Sequence, residues 1–175
     1  MNRSELSPVL VSACLLGQPV RYDGRASGHP DVLQGWQAEG RVVALCPEVA
    51  GGLPTPRPPA EIPGGQGAQV LDGQAQVITV SGEDVSAAFL AGAQIALALV
   101  RRHGIRVAVL KSGSPSCGNQ LTYDGSFSGV KVSGEGVTAA LLRREGVRVF
   151  SELQLEEAAE ALLAPAAEVS EAQRP

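Results

Sequence analysis

The sequence predicts an α/β fold in which helices cover both faces of a parallel β-sheet. Short, mainly apolar runs at residues 8–13, 42–45, 105–110 and 147–150 are bounded by turn-forming residues. Continuous β-branched runs of this length are typical of strands that are buried on both faces. Segments of helical character separate the runs, and this alternation favours parallel pairing. We therefore predict a single-domain, Rossmann-like parallel sheet with helices on both faces.

Capping signals place the helices between these strands. A short helix is predicted near residues 30–40. Ser81 and Asp84 resemble a capping box and predict the start of a long helix that ends before Gly104. A helix at about residues 135–144 and a final helix rich in Glu, Ala and Leu complete the alternation.

The segment between the second strand and the long helix carries two further signals. Asp72-Gly73 is a common turn pair, and the apolar residues 69–71 and 75–78 on its two sides predict a small accessory β-hairpin. Between Cys46 and Gly67 the chain is rich in proline, which removes amide donors, so we expect a long loop without regular structure. Loops of this kind are usually functional or disordered.

Composition limits the class of protein. The chain has 175 residues, a hydrophobic fraction of 44% and a formal net charge of -4, as expected for one soluble globular domain. We assign residues 1–164 to this domain and residues 165–175, which lack an apolar face, to a flexible C-terminal tail. With no Lys/Arg cluster and only 3% aromatic residues, a nucleic acid polymer is disfavoured as a partner.

The N-terminal apolar stretch is too short for a signal peptide or a membrane span. We therefore predict a cytoplasmic location and no membrane partner. The oligomeric state stays open.

Cysteines follow three of the predicted strands. Cys14 and Cys46 come directly after the first two runs, and Cys117 lies in the loop after the third. Because sites form beyond the carboxyl ends of parallel strands, we expect the three thiols to share one edge of the sheet. An odd number of thiols in a reducing compartment, without a C-x-x-C pair, does not indicate disulfides or a structural zinc site.

Several explanations of the cysteines are open at this point. Three thiolates can hold a zinc ion or three corners of a cubane iron–sulfur cluster, and either choice leaves one coordination position free. His29, in a loop, and His103, near the end of a helix, are poor candidates for that position. The cysteines can also be small buried hydrophobic residues.

Seven short motifs carry a resemblance to a known family. Taken together and in order, they resemble the thiouracil desulfidase family, formerly known only as a domain of unknown function. The resemblance extends from about residue 8 to residue 151. The motifs are SACLLG (12–17), VRYDG (20–24), CPE (46–48), GGLP (51–54), PRPPAEI (56–62), SPSCG (114–118) and YDG (123–125).

The resemblance implies an oxygen-sensitive [4Fe-4S] cluster held by Cys14, Cys46 and Cys117, with the fourth iron free to bind the sulfur of a substrate. The implied reaction is the non-redox removal of sulfur from a small-molecule thiolated pyrimidine base. In it, 2-thiouracil or 4-thiouracil gives uracil and sulfide.

Two residues are candidates for catalysis. Glu48, two residues after a candidate ligand, is the best placed carboxylate for the proton transfers that hydrolysis of a thiocarbonyl needs. Glu48 can instead be a loop carboxylate that accepts hydrogen bonds from backbone N–H groups. Ser114, ranked first among nearby serines on the resemblance, is expected to hydrogen-bond the substrate or the tetrahedral intermediate. Ser114 can also be a turn-stabilising hydroxyl, and Ser112 and Ser116 share this ambiguity.

Other residues near the motifs receive no catalytic assignment. Arg57 can orient a carbonyl group or pin its loop to an acidic neighbour such as Glu61. Asp23 and Asp124, each in a Tyr-Asp-Gly sequence, are predicted to form turns, and Tyr22 and Tyr123 before them can line a pocket. The pair at residues 51–52 is Gly-Gly, which permits close approach of the backbone to a cluster or ligand.

Two other functions are compatible with the residues. A cysteine-ligated zinc hydrolase needs the same open position and the same base. A non-catalytic iron–sulfur carrier or sensor needs the cluster but releases no sulfide from thiolated bases.

Overall fold

Strands and helices alternate along most of residues 6–163, which are the residues that the computed structural model describes. The predicted tail at residues 165–175 lies outside the described residues, and the assignment of residues 1–164 to one domain stays a prediction. In chain order the elements are β1 (Val9–Ser12), a 3₁₀ helix (Ala13–Leu16), α1 (Asp31–Ala38), β2 (Val42–Leu45), α2 (Pro47–Ala50), β3 (Ala60–Glu61), α3 (Gly67–Leu71), β4 (Ile78–Thr79), α4 (Ser86–His103), β5 (Val107–Val109), β6 (Leu121–Tyr123), β7 (Lys131–Ser133), α5 (Val137–Arg144), β8 (Arg148–Phe150) and α6 (Leu155–Leu163).

The central sheet consists of parallel strands in the order β2-β1-β5-β8. β1 lies between β2 and β5, with Val11 opposite both Ala44 and Val109. Every residue of β1 is buried, as expected for a strand with both faces covered. The predicted fold class is confirmed.

Helices cover the two faces of the sheet and form two hydrophobic cores. Val9 and Val11 pack on one face with residues of α1 and α6. Leu10 packs on the opposite face with residues of α3, α4 and α5. Successive side chains of a strand point to opposite faces, so a continuous apolar strand supplies both cores. Fully burying one Val or Leu side chain contributes about 1.5–3 kcal/mol.

The predicted helices are present, and the main difference concerns the start of α4. This helix begins at Ser86, where the backbone N–H donates to Asp84 Oδ1 at 2.9 Å. Ser81 does not cap the helix, because its hydroxyl bonds to Thr79 Oγ1 at 3.0 Å in the preceding turn. The predicted end is confirmed, since Gly104 ends the helix with a φ of 66°, a conformation that glycine adopts readily.

The accessory β-hairpin lies at a different place from the one predicted. Residues 69–71 belong to α3, which starts with a reciprocal capping box between Gln66 and Gln69, and Asp72 ends the helix. The pair Asp72-Gly73 therefore ends a helix instead of joining two strands. The hairpin is formed by β6 and β7, while β4 pairs with β3 in a second small antiparallel sheet.

The proline-rich segment contains more regular structure than predicted. Pro47 occupies the first position of α2, where a backbone N–H would have no acceptor within the helix, so proline fits there without loss of a hydrogen bond. Two residues of the same segment form β3. Among the helices of residues 6–163, none has the length and apolar character needed to cross a membrane.

Helices α2 and α4 approach each other closely at two glycines. A Cβ on Gly51 would lie 2.0 Å from the carbonyl oxygen of Ala88, and a Cβ on Gly92 would lie 2.0 Å from that of Pro47. The close neighbour of Gly51 is thus the backbone of α4 and not a ligand. Because α2 follows Cys46 directly, this contact also fixes where that cysteine lies.

We expect Gly92→Ala to lower the free energy of unfolding by about 1–3 kcal/mol, because the added methyl group overpacks the contact with Pro47. The matched control is Gly35→Ala in α1, where a Cβ meets nothing within 4 Å. That change is expected to stabilise the protein by about 0.5–1 kcal/mol, the usual gain of alanine over glycine in a helix. Urea denaturation measures both values, and equal stability of the two variants would contradict the prediction.

Candidate active site

The three cysteines lie at the carboxyl ends of three neighbouring strands. Cys14 is in the 3₁₀ helix after β1, Cys46 follows β2, and Cys117 is in the loop after β5. All three line one cavity of about 280 Å³ and all are free thiols. The expectation that the fold brings these residues together is met by this geometry. The rest of the lining includes Ser12, Arg21, Tyr22, Glu48, Arg57, Glu61, Lys111, Ser112, Ser114, Tyr123 and Lys131.

Burial keeps the thiols in their protonated form. It raises the pKa of Cys117 most strongly, against a hydrogen bond from the Ser12 hydroxyl that lowers this pKa. Burial also raises the pKa of Cys46, although the backbone N–H groups of Val49 and Glu48 oppose the change. A bound metal has to displace these protons, because the thiolate is the form that coordinates metals.

Cys14 has neighbours that favour its thiolate. Burial raises its pKa, while the Ser27 hydroxyl, Lys111 and Arg21 lower it. Ser27 Oγ is buried and makes no regular hydrogen bond within residues 6–163. A thiolate accepts such a bond better than a neutral thiol does, so this hydroxyl suits a metal-bound sulfur.

The three cysteines form the donor set of a candidate metal centre. Three thiolates around one tetrahedral zinc ion lie ~3.8 Å apart, since each Zn–S bond is ~2.3 Å long. No three His, Cys, Asp or Glu side chains of residues 6–163 are arranged to hold a single metal ion. The thiols nevertheless share the cavity, and Cys14 and Cys46 both act electrostatically on Cys117. The three thiols therefore offer the cysteine donors that an iron–sulfur cluster requires.

Cations outnumber carboxylates in the cavity lining. Arg21, Arg57, Lys111 and Lys131 contribute positive charge, and the two carboxylates are Glu48 and Glu61. Positive charge near a thiol favours the thiolate, and Lys111 and Arg21 lower the pKa of Cys14 in this way.

Glu48 lies in the first turn of α2 and lines the cavity, as predicted. Its side chain is mostly buried and forms an ion pair with Arg57. Burial raises the pKa of the carboxyl group, and the nearby guanidinium partly offsets this effect. Only Oε1 contacts Arg57. The second oxygen, Oε2, makes no hydrogen bond with residues 6–163.

The partner of Arg57 differs from the one suggested by the sequence. Arg57 pairs with Glu48 and not with Glu61. The Glu61 carboxylate instead accepts the backbone N–H groups of Gly125, at 2.8 Å, and Phe127, at 3.3 Å. Glu61 therefore holds the loop between β6 and β7, which places this hairpin beside the cavity.

Ser114 differs from its neighbouring serines. Its Oγ accepts the backbone N–H groups of Ser116, at 3.0 Å, and Cys117, at 3.1 Å. A hydroxyl has two acceptor positions and one donor, so the O–H group remains available to donate into the cavity. Ser112 is bound to Glu152, and Ser116 shares a buried 2.7 Å hydrogen bond with Thr138.

The paired Tyr-Asp-Gly sequences behave as predicted. Asp23 Oδ1 accepts the N–H of Arg25 and Asp124 Oδ1 accepts the N–H of Ser126, so both aspartates form turns. The tyrosines before them line the cavity. His29 and His103 are not among the lining residues. His29 bonds to the side chain of Gln37.

Sequence reasoning missed two lysines of the site. Lys111 follows the end of β5 at a position comparable to those of the cysteines, so the same strand-end argument could have found it. Its Nζ lies 3.2 Å from Glu152 Oε2. Lys131 reaches the cavity through the β6–β7 hairpin, and no local signal in the sequence predicts that contact.

The fold and the cavity define an α/β protein with a cysteine-lined site at the carboxyl edge of a parallel sheet. The sequence model of the 2-thiouracil desulfurase family matches residues 9–154. The chain therefore belongs to the 2-thiouracil desulfurase family, and the predicted membership is confirmed.

Two similar proteins are matched by this chain over nearly their whole length. The uncharacterized protein YbbK of Bacillus subtilis (strain 168) is 46% identical over 147 residues, which are 84% of this chain and 97% of YbbK. A solved structure of the [4Fe-4S]-dependent thiouracil desulfidase TudS is 57% identical, with a TM-score of 0.81. The match covers 89% of this chain and 97% of that one.

Proposed function

We propose that this protein is a [4Fe-4S]-dependent desulfidase that converts 2-thiouracil or 4-thiouracil to uracil and sulfide. The observation that carries the proposal is the meeting of Cys14, Cys46 and Cys117 at one cavity that also contains the buried carboxylate of Glu48. The similarity to TudS supports the cofactor and the substrate class. The reaction exchanges the C=S group and water for a C=O group and hydrogen sulfide, so no external electron donor is needed.

We further propose that the three cysteines are the only protein ligands of the cluster, which leaves one iron open. When bound, the cluster supplies a soft Lewis acid that suits the sulfur of a thiocarbonyl group. The Ser27 hydroxyl beside Cys14 and the Ser12 hydroxyl beside Cys117 support this assignment, because both favour thiolate sulfur.

Glu48 is the general base in this mechanism. Its Oε2 has no partner among residues 6–163, and the side chain lines the same cavity as the cysteines. The carboxylate takes a proton from the water that attacks the thiocarbonyl carbon. Holding the water and the base in one cavity makes the proton transfer intramolecular.

Ser114 stabilises negative charge on the substrate. Both of its acceptor positions are occupied by backbone N–H groups, which directs the O–H group away from the loop. A hydroxyl held in this way can donate a hydrogen bond to the substrate atom that gains negative charge as water adds to the thiocarbonyl carbon, which is the sulfur or a conjugated ring atom.

Location and partners remain predictions. The three unpaired cysteines support a cytoplasmic location, because free thiols persist in a reducing compartment. The proposed partner is a small thiolated base, without a nucleic acid polymer or a membrane.

Cluster ligation is tested on protein purified and reconstituted without oxygen. We expect about four irons per chain in the wild type and loss of iron in Cys14→Ser, Cys46→Ser and Cys117→Ser, with the fold retained by circular dichroism. Sulfide release from 2-thiouracil and 4-thiouracil is expected in the wild type alone. An iron-replete and fully active Cys46→Ser protein would exclude the proposal.

Metal content and sulfide release also distinguish the desulfidase from the two other functions compatible with the residues. Zinc in place of iron would indicate a hydrolase, and a stable cluster without sulfide release would indicate a carrier or sensor.

The role of Glu48 is tested by Glu48→Gln, which keeps the shape of the side chain and removes the base. We expect iron content to be unchanged and kcat for sulfide release to fall about 100-fold or more, the usual contribution of a general base. The control is Glu61→Gln, in which a second carboxylate of the lining is changed. It should lose less than about tenfold, because Glu61 contacts backbone N–H groups of the hairpin. Equal losses in the two variants would remove Glu48 from the mechanism.

The role of Ser114 is tested by comparing Ser114→Ala with Ser114→Thr. Alanine removes the O–H group, and we expect kcat to fall about 100-fold, the usual effect of losing one hydrogen-bond donor to developing negative charge. Threonine keeps a hydroxyl at the same place and should restore most of the rate. Iron per chain shows whether the Cys117 loop is intact in both variants. Similar rates for alanine and threonine would show that the hydroxyl only stabilises the turn.

A further inference from the structure

Arg57 lines the cavity and is fixed in place by burial, by two aromatic rings and by hydrogen bonds. Its side chain is 5% exposed. The guanidinium carbon lies 5.6 Å from the ring centre of Tyr22 and 5.5 Å from that of Phe89. Nη1 donates to the carbonyl oxygen of Pro58 at 2.7 Å, and the backbone N–H donates to the carbonyl oxygen of Tyr22 at 2.6 Å.

The ion pair between Arg57 and Glu48 uses one oxygen of the carboxylate. Nη2 donates to Oε1. Arg57 Nε is buried and has no hydrogen-bond partner within residues 6–163. A two-point pair would satisfy Nε with Oε2, as arginine–carboxylate pairs often do. The observed pair leaves a buried donor unsatisfied, which costs stability, and keeps Oε2 out of the interaction.

We propose that Arg57 is a positioning residue that fixes the orientation of Glu48 and keeps its Oε2 turned to the cavity. The inference rests on the proposed function, in which Glu48 is the base. Arg57 contacts neither water nor substrate in this role. It acts through Glu48, whose side chain would otherwise sample several rotamers in the lining.

The surroundings explain why the residue is arginine. A planar guanidinium lies near two aromatic rings and binds Pro58 and Glu48 with separate nitrogen atoms. A lysine ammonium is one point charge on a flexible stem, so it cannot hold the same two acceptors in a fixed plane. The charge of lysine would remain, but the orientation of Glu48 would be lost.

The proposal is tested with Arg57→Lys and Arg57→Ala. The control is Arg41→Ala, since Arg41 is a similarly buried arginine that donates to the carbonyl oxygen of Ser7 and lies outside the cavity lining. We expect both Arg57 variants to keep their iron and their KM for thiouracil, while kcat falls at least about tenfold through misorientation. Millimolar guanidinium ion should restore part of kcat in Arg57→Ala alone.

The double variant Glu48→Gln/Arg57→Ala tests whether Arg57 acts through Glu48. Residues that act together are not additive, so the double variant should be no slower than Glu48→Gln. If the fold-loss of kcat in the double variant equals the product of the losses in the two single variants, the proposal is overturned. A kcat of Arg57→Lys within about twofold of the wild type would overturn it as well.

Crystal structures supply a readout that does not depend on activity. We expect Glu48 in more than one rotamer, or turned from the cavity, in Arg57→Lys, and in one rotamer in the wild type and in Arg41→Ala. An unchanged Glu48 in Arg57→Lys would overturn the proposal. This result is independent of sulfide release, so failure of the proposed function is distinguishable from failure of the positioning role.

Discussion

Parallel pairing of β1 with both β2 and β5 is the constraint on which the site depends. The pairing aligns Ser12 with Leu45, so Cys14 and Cys46 leave the sheet at the same edge, and β5 brings the Cys117 loop to the other side of β1. Val11 packs into one core and Leu10 into the other. A shift of one residue in β1 would exchange these faces and displace Cys14, so the two cores also fix the register.

Burial in the cavity has two opposite effects on its charges. It disfavours thiolates, and the pKa of each cysteine is raised as a result. It also strengthens the attraction between charges that remain, because little water screens them. The Glu48–Arg57 pair lies in this environment and contributes no net charge. Of the remaining cations of the lining, Lys111 lies 3.2 Å from the Glu152 carboxylate and Arg21 lies 3.8 Å from that of Asp23. Both cations nevertheless lower the pKa of Cys14.

Local patterns in the sequence predicted the central strands and the convergence of the cysteines, because strand ends follow from short apolar runs. They failed at residues 69–78, where Asp72-Gly73 fits the end of a helix as well as a hairpin turn. They also failed to predict the partner of Arg57 and the position of Lys131. These contacts join segments whose approach depends on helix packing and on the hairpin, and neither is encoded in nearby residues.

The walls of the cavity show the same division between local and long-range determinants. Asp23 and Asp124 each form a turn within two residues, and each turn holds a tyrosine at the lining. The cations beside the rings come from elsewhere: Arg57 lies 5.6 Å from the ring centre of Tyr22, and Lys131 Nζ lies 5.5 Å from that of Tyr123. A cation beside an aromatic face stabilises both groups. The tyrosines were therefore predictable from turn chemistry, whereas the cations that hold them required the assembled fold.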